Sequence, residues 1–181
     1  MKLDEIKLLY DFNYWADQRI ITACANVSAE QYAAPIQIGN GYTSLRTTLV
    51  HIIDGEWQWR ITYAGHYSKP LPDEEYSATE FTEVQLPTLS GLEEFWESEK
   101  EAMLLYLDHL TEEELNGILR YVAPGNLVRE RVLWQCLFHV VNHGTQHRAE
   151  AAAILTSYGQ SPGELDFTQF LNALAAGDLK E

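Results

Sequence analysis

Four stretches of this chain repeat their apolar residues at the spacing of an α-helix, and that periodicity constrains the fold more than any other feature. In the first, Leu3, Ile6, Tyr10, Ile20, Cys24 and Val27 recur near the 3.6-residue period, with no proline or glycine between them. The second starts near Thr43 or Ser44 and carries Leu45, Leu49, Ile52, Trp59 and Tyr63 along one side; Gly55 within it marks a close helix contact. The third is SGLEEFWESEKEAMLLYLDHL, with Ser90 as expected cap, Glu93 at the capping-box position and acidic residues in the first turn. The fourth runs from about Arg131 to Ser157 and ends before Gly159. An amphipathic helix must bury its apolar side against a neighbour, so four of them predict an all-α helical bundle, one domain over residues 1–181.

The connections are less regular. Ser28 with Gln31, and Thr111 with Glu114, read as caps of short helical segments. Asn40-Gly41 is a candidate hairpin turn, and residues 117–130, with Pro124 and Gly125, are a break that can hold a small hairpin. Residues 66–89 contain Pro70, Pro72 and Pro87 and read as a long irregular connection, so a simple up-down-up-down order is not assumed.

Charge narrows the function. The 27 acidic residues against 12 Lys and Arg give a net charge of -15. That field repels phosphate backbones and anionic membranes, which argues against nucleic-acid and membrane partners. The excess is localised: residues 66–114 carry 14 acidic and 2 basic groups, whereas residues 115–158 carry 2 acidic and 4 basic. Cys24 and Cys136 are too few for a disulfide scaffold and are expected to pack in the core of a protein from a reducing compartment. No apolar run approaches the ~20 residues that span a bilayer, and MKLDEIKLLY lacks a signal peptide's apolar core; the expectation is a cytoplasmic protein.

Of the six histidines, His139, His143 and His147 fall on one helix at successive i,i+4 steps, about 6 Å of rise apart. Two imidazoles so spaced can reach one divalent cation, and neutral imidazole suits Zn, Ni, Fe or Cu. All three cannot: His139 and His147 lie about 12 Å apart along the axis and drift by roughly 80° around it. A bundle site would therefore take one adjacent pair and a third ligand from a facing helix, for which His51 is the obvious choice. His66 and His109 lie at helix ends and are peripheral. Gly144 after His143 rules out H-E-x-x-H, and GxGxxG, Walker A and C-x-x-C motifs are absent. The tryptophans are expected mostly in the core; Trp57 and Trp59 point in different directions, so one can line a pocket or partner surface.

The segments SLRTTLVHIIDGEWQW and LWQCLFHVVNHGTQHRAE, together with the opening YDFNYWADQRI and the closing SYGQSPGELDFTQFL, resemble the DinB-like/YfiT-like family. The resemblance implies a four-helix bundle with a down-up-up-down-like connection and a metal held by three side chains, which correspond here to His51, His143 and His147. His139 then lines the site. Zn or Ni is the expected metal, with Fe or Mn as alternatives, and a homodimer is expected. Many relatives continue with His-Arg-Gly-Gln where this chain has His147-Arg148-Ala149-Glu150. Glu150 is spaced to orient a ligand imidazole or to pair with Gln146.

Three histidines leave coordination positions for water or substrate. The resemblance favours activation of a low-molecular-weight thiol that attacks a small electrophile; a hydrolase using metal-activated water and a non-catalytic, metal-stabilised bundle are the alternatives. Candidate participants are His139, Asp54, Arg148 and Glu150, with Asp54 and Glu56 near His51 either supporting the site or simply solvated. Arg148 is expected either to receive an anionic substrate or thiol carboxylate, or to form a helix-surface ion pair.

Overall fold

The computed structural model describes residues 1–36, 44–70, 72, 75 and 80–179; the Asn40-Gly41 turn lies outside them. In chain order the elements are α1 (Leu3–Cys24), α2 (Ala29–Ala33), α3 (Leu45–Tyr63), α4 (Leu89–His109), α5 (Glu112–Leu115), strands β1 (Ile118–Ala123) and β2 (Leu127–Val132), α6 (Leu133–Ser157) and α7 (Phe167–Ala176). The four long helices form the bundle. No helix among the described residues is long and apolar enough to cross a membrane.

Side-chain pairings give the direction of each helix. Tyr10 donates to the Leu137 carbonyl at 3.4 Å and Arg148 to Asp17 at 2.9 Å, so α1 and α6 run the same way. His51 meets His143 and Trp59 meets His139, so α3 runs against α6. Arg60 pairs with Glu99 and Tyr63 stacks on Tyr106, so α3 and α4 are parallel. Lys7 pairs with Asp108 while Lys100 lies over Tyr14, so α4 runs against α1. The order is down-up-up-down. Two parallel consecutive helices need a long connection, and 25 residues separate Tyr63 from Leu89.

Local sequence sets most of the boundaries. Ser28 and Thr111 each accept a backbone N–H from the residue three positions on, in reciprocal capping boxes, and Ser44 starts α3 in the same way. The expected cap of α4 is corrected. Thr88, extended at φ -120 and ψ 155, is the last non-helical residue, and its hydroxyl takes the Gly91 N–H at 3.2 Å. Ser90 is thus already inside the first turn, which contains no acidic residue. The anticipated hairpin forms, with β1 and β2 antiparallel and Leu119 facing Arg131, so Arg131 and Val132 belong to β2 and α6 begins at Leu133. Both cysteines are buried, free thiols.

The inward line of α1 explains the core. Ile6, Tyr10, Asn13, Asp17, Ile20 and Cys24 follow a 4-3-4-3-4 spacing and are all buried, yet the middle two are polar. Asn13 meets Glu56 and Arg148, and Asp17 meets Arg148. Glu99, whose charge acts on Glu56, belongs to the same layer, and Glu56, Glu99 and Arg148 are each at most 3% exposed. Apolar clusters flank this layer: one around Ile6, Met103 and Leu137, the other around Ile20, Ile53 and Ile154. Arg148 donates to Asn13 Oδ1 at 2.6 Å and to Asp17 Oδ1 at 2.9 Å, and Arg60 holds Glu99 through paired hydrogen bonds from Nε and Nη2.

Three carboxyl groups therefore share two guanidiniums, and the third, Glu56, resolves the imbalance by keeping its proton. Burial is the main cause of its rise to about 8; the charges of Asp17 and Glu99 add to it, while the Tyr14 hydrogen bond and Arg148 oppose it. A native pKa above the unfolded value means that the stability Glu56 provides is complete below about pH 4.5 and is lost as pH rises through about 8. Across that window the slope approaches about 1.4 kcal/mol per pH unit. Urea unfolding at pH 5.5, 7 and 8.5 will show a steeper decline for the native sequence than for Glu56→Gln, whose neutral amide cannot titrate. Parallel declines would refute this assignment.

Candidate metal centre

The α3–α6 seam brings His51, His143 and His147 together. One ring nitrogen from each lies within 4.8 Å of the others. His51 Nε2 and His143 Nε2 are 2.9 Å apart, and the His147 ring centroid lies 4.7 Å from that of His51 and 4.6 Å from that of His143. Nitrogens bound at 2.0–2.1 Å to a tetrahedral ion sit about 3.3 Å apart. A group of this size and donor chemistry can hold a metal ion.

Each ring is set by its surroundings. The i,i+4 spacing puts His143 and His147 on one face of α6, and the antiparallel α3 delivers His51 opposite them. Gly55, one turn after His51, makes the approach possible: a Cβ there would lie 3.0 Å from His143 Cε1, tighter than an undisturbed ring tolerates. Burial, reinforced by the neighbouring imidazoles, lowers the pKa of His143 to about 3 and of His51 to about 4. Both rings are thus neutral at pH 7, the form that binds metals. His147 is 4% exposed, and its Nδ1 lies 2.7 Å from Glu150 Oε2. An ionised carboxylate only accepts, so Nδ1 carries the proton and the lone pair resides on Nε2. Of the two roles foreseen for Glu150, orienting an imidazole is the one observed.

The other candidates divide. His139 is exposed one turn from the group, its ring centroid 5.9 Å from that of His143 and 5.4 Å from that of Trp59. Trp59 also meets Tyr121 of the hairpin at 5.5 Å, whereas Trp57 packs on Phe81 at 4.8 Å, so the two tryptophans do part. Asp54 turns to the long connection, accepting the Phe81 N–H at 2.8 Å; burial pushes it up to about 6. His66 and His109 are exposed and peripheral.

Two expectations are corrected. Arg148 neither receives a substrate nor forms a surface pair: it is 2% exposed, because residue 148 follows His147 by about 100° around α6 and so faces α1. Its side chain folds back over Gly144, where a Cβ would lie 2.6 Å from Nη1. Glu56 is not solvated; it sits in the buried layer, accepting from Tyr14 and Asn13. Asn13, Asp17 and Tyr14 were not expected near the site at all, although polar residues at positions 13 and 17 of an otherwise apolar helical line were the available signal.

The family model described as the DinB family matches residues 2–177. The chain is also similar to "Protein DinB" of Bacillus subtilis (strain 168), at 27% identity over 164 residues that cover 90% of this chain and 91% of that protein.

Proposed function

Because the chain belongs to the DinB family, and its three-histidine group is compatible with a metal-dependent enzyme, we propose that His51, His143 and His147 hold a divalent ion, Zn or Ni, in a centre that transfers a low-molecular-weight thiol to a small electrophile. The observation that carries this reading is the convergence of three ring nitrogens within 4.8 Å, one of them oriented by Glu150. When bound, an ion of this kind supplies Lewis-acid activation that lowers the pKa of a thiol or of water.

The chain's own residues do the rest. Neutral His51 and His143 present lone pairs without first losing a proton, and Glu150 fixes the ring of His147. Gly55 keeps the seam open to His143. His139 is the base in this reading: although the residue is exposed overall, partial desolvation of its ring holds it below the ordinary histidine value, so at pH 7 it has a lone pair for the proton the thiol gives up. The thiol sulfur then forms the new bond to carbon as the bond from that carbon to its leaving group breaks, the leaving group departing with the electron pair (bromide in the case of monobromobimane).

Protein loaded with Zn or Ni will consume an alkylating electrophile such as monobromobimane with a thiol faster than metal-free protein does, and His139→Ala will retain metal but lose at least tenfold in rate. Turnover of a p-nitrophenyl ester without thiol would favour hydrolysis instead. Bound metal with neither reaction would favour a purely structural centre.

A further inference from the structure

The seam that holds the three histidines continues past them. From His143 the ring contacts step to His139 at 5.9 Å, to Trp59 at 5.4 Å and to Tyr121 of the hairpin at 5.5 Å. The register of that hairpin sets Arg129 opposite Tyr121 and Arg131 opposite Leu119. Directly opposed residues share a face, so both arginines lie on the side from which Tyr121 meets Trp59. Glu130, between them in sequence, points to the other face and toward Arg120, 3.9 Å away.

Neither Arg129 nor Arg131 makes an ion pair among the described residues; Arg131 donates to the Glu130 carbonyl, at 2.8 Å. Both guanidiniums act on the Tyr121 phenol, which burial pushes up and which they draw back down. This is an unusual place in so acidic a protein. Residues 115–158 carry 4 basic and 2 acidic groups within a chain of net charge -15. An anionic ligand repelled elsewhere is attracted here. The buried Arg148 cannot offer such a group a charge, but these arginines can.

The geometry points to a recognition subsite for the carboxylate end of a thiol, in which Arg129 and Arg131 hold the anion and Trp59, Tyr121 and His139 line the path to the three histidines. It rests on the thiol-transfer reading above. Arginine matches a carboxylate in two parallel hydrogen bonds, and the half-buried Trp59 and Tyr121 shed water beside them.

Calorimetric titration of the protein with glutathione and with its diethyl ester, the same thiol with both carboxylates masked, tests this. Glutathione is expected to bind at least tenfold more tightly than the diester. The double variant Arg129→Gln, Arg131→Gln is expected to lose that preference while keeping the metal content of the native sequence. Equal binding of the two thiols, no binding of glutathione, or an unchanged preference in the double variant would overturn the subsite. Metal content is read separately. A protein that discriminates through its arginines but binds no metal would uphold the subsite and sink the metal centre, and the reverse result would do the opposite.

Discussion

Arg148→Ala should destabilise the protein by about 3–5 kcal/mol, the usual cost of removing one partner from a buried ion pair. Arg148 and Asp17 have side chains 2% and 3% exposed, so water cannot replace the lost guanidinium. The substitution strands the Asp17 carboxylate and withdraws the donor from Asn13 Oδ1, both in the polar layer between the two apolar clusters. In a chain of this size each kcal/mol lowers Tm by about 2–4 °C, so the expected fall is readily measured by thermal or urea unfolding. Adding Asp17→Asn should restore part of the loss, since a neutral amide costs less to leave without its charged partner. A loss below about 1 kcal/mol would mean that the pair is solvated, against the burial described here.

The second large effect concerns the histidines. Replacing His51, His143 or His147 by Ala leaves two imidazoles from a group whose nitrogens lie within 4.8 Å. Competition with a chelator should then show affinity for Zn or Ni falling by at least a factor of a thousand. Glu150→Gln removes an orienting carboxylate and not a ligand, so a 10- to 100-fold loss is expected. His139→Ala should bind as the native sequence does, because its ring lies one turn away. These variants separate the metal from the fold: the three rings lie at the α3–α6 seam, outside the two apolar clusters, so the ligand variants should remain folded.

Periodicity made the bundle legible, because helix ends and apolar faces are local properties of the chain. The pair His143–His147 was readable for the same reason: its geometry depends only on the rise and turn of one helix. His51 needed a neighbour, and only the antiparallel approach of α3, opened by Gly55, brings it to the pair. Arg148 shows where such reading ends. It lies one residue beyond a candidate ligand, and whether that direction meets solvent or α1 is a matter of packing between segments distant in sequence. Asn13 and Asp17 are the counterpart. They stand on the apolar line of α1 as two apparent defects, explained once Arg148 arrives from α6. Thr88 replaces Ser90 as the cap of α4 because two hydroxyls two residues apart compete for one role, and the backbone extended at Thr88 decides between them.

The acidic excess also has a physical place. It concentrates in residues 66–114, on the long connection, α4 and α5, whereas the histidines of α6 and the hairpin arginines belong to the mildly basic stretch that follows.

X-ray absorption on the metal-loaded protein probes the proposed ligands themselves. Three imidazole nitrogens are expected in the first coordination sphere, at about 2.0–2.1 Å for Zn, falling to two in His143→Ala. A sphere with one imidazole or none, or a spectrum unchanged by His143→Ala, would contradict it.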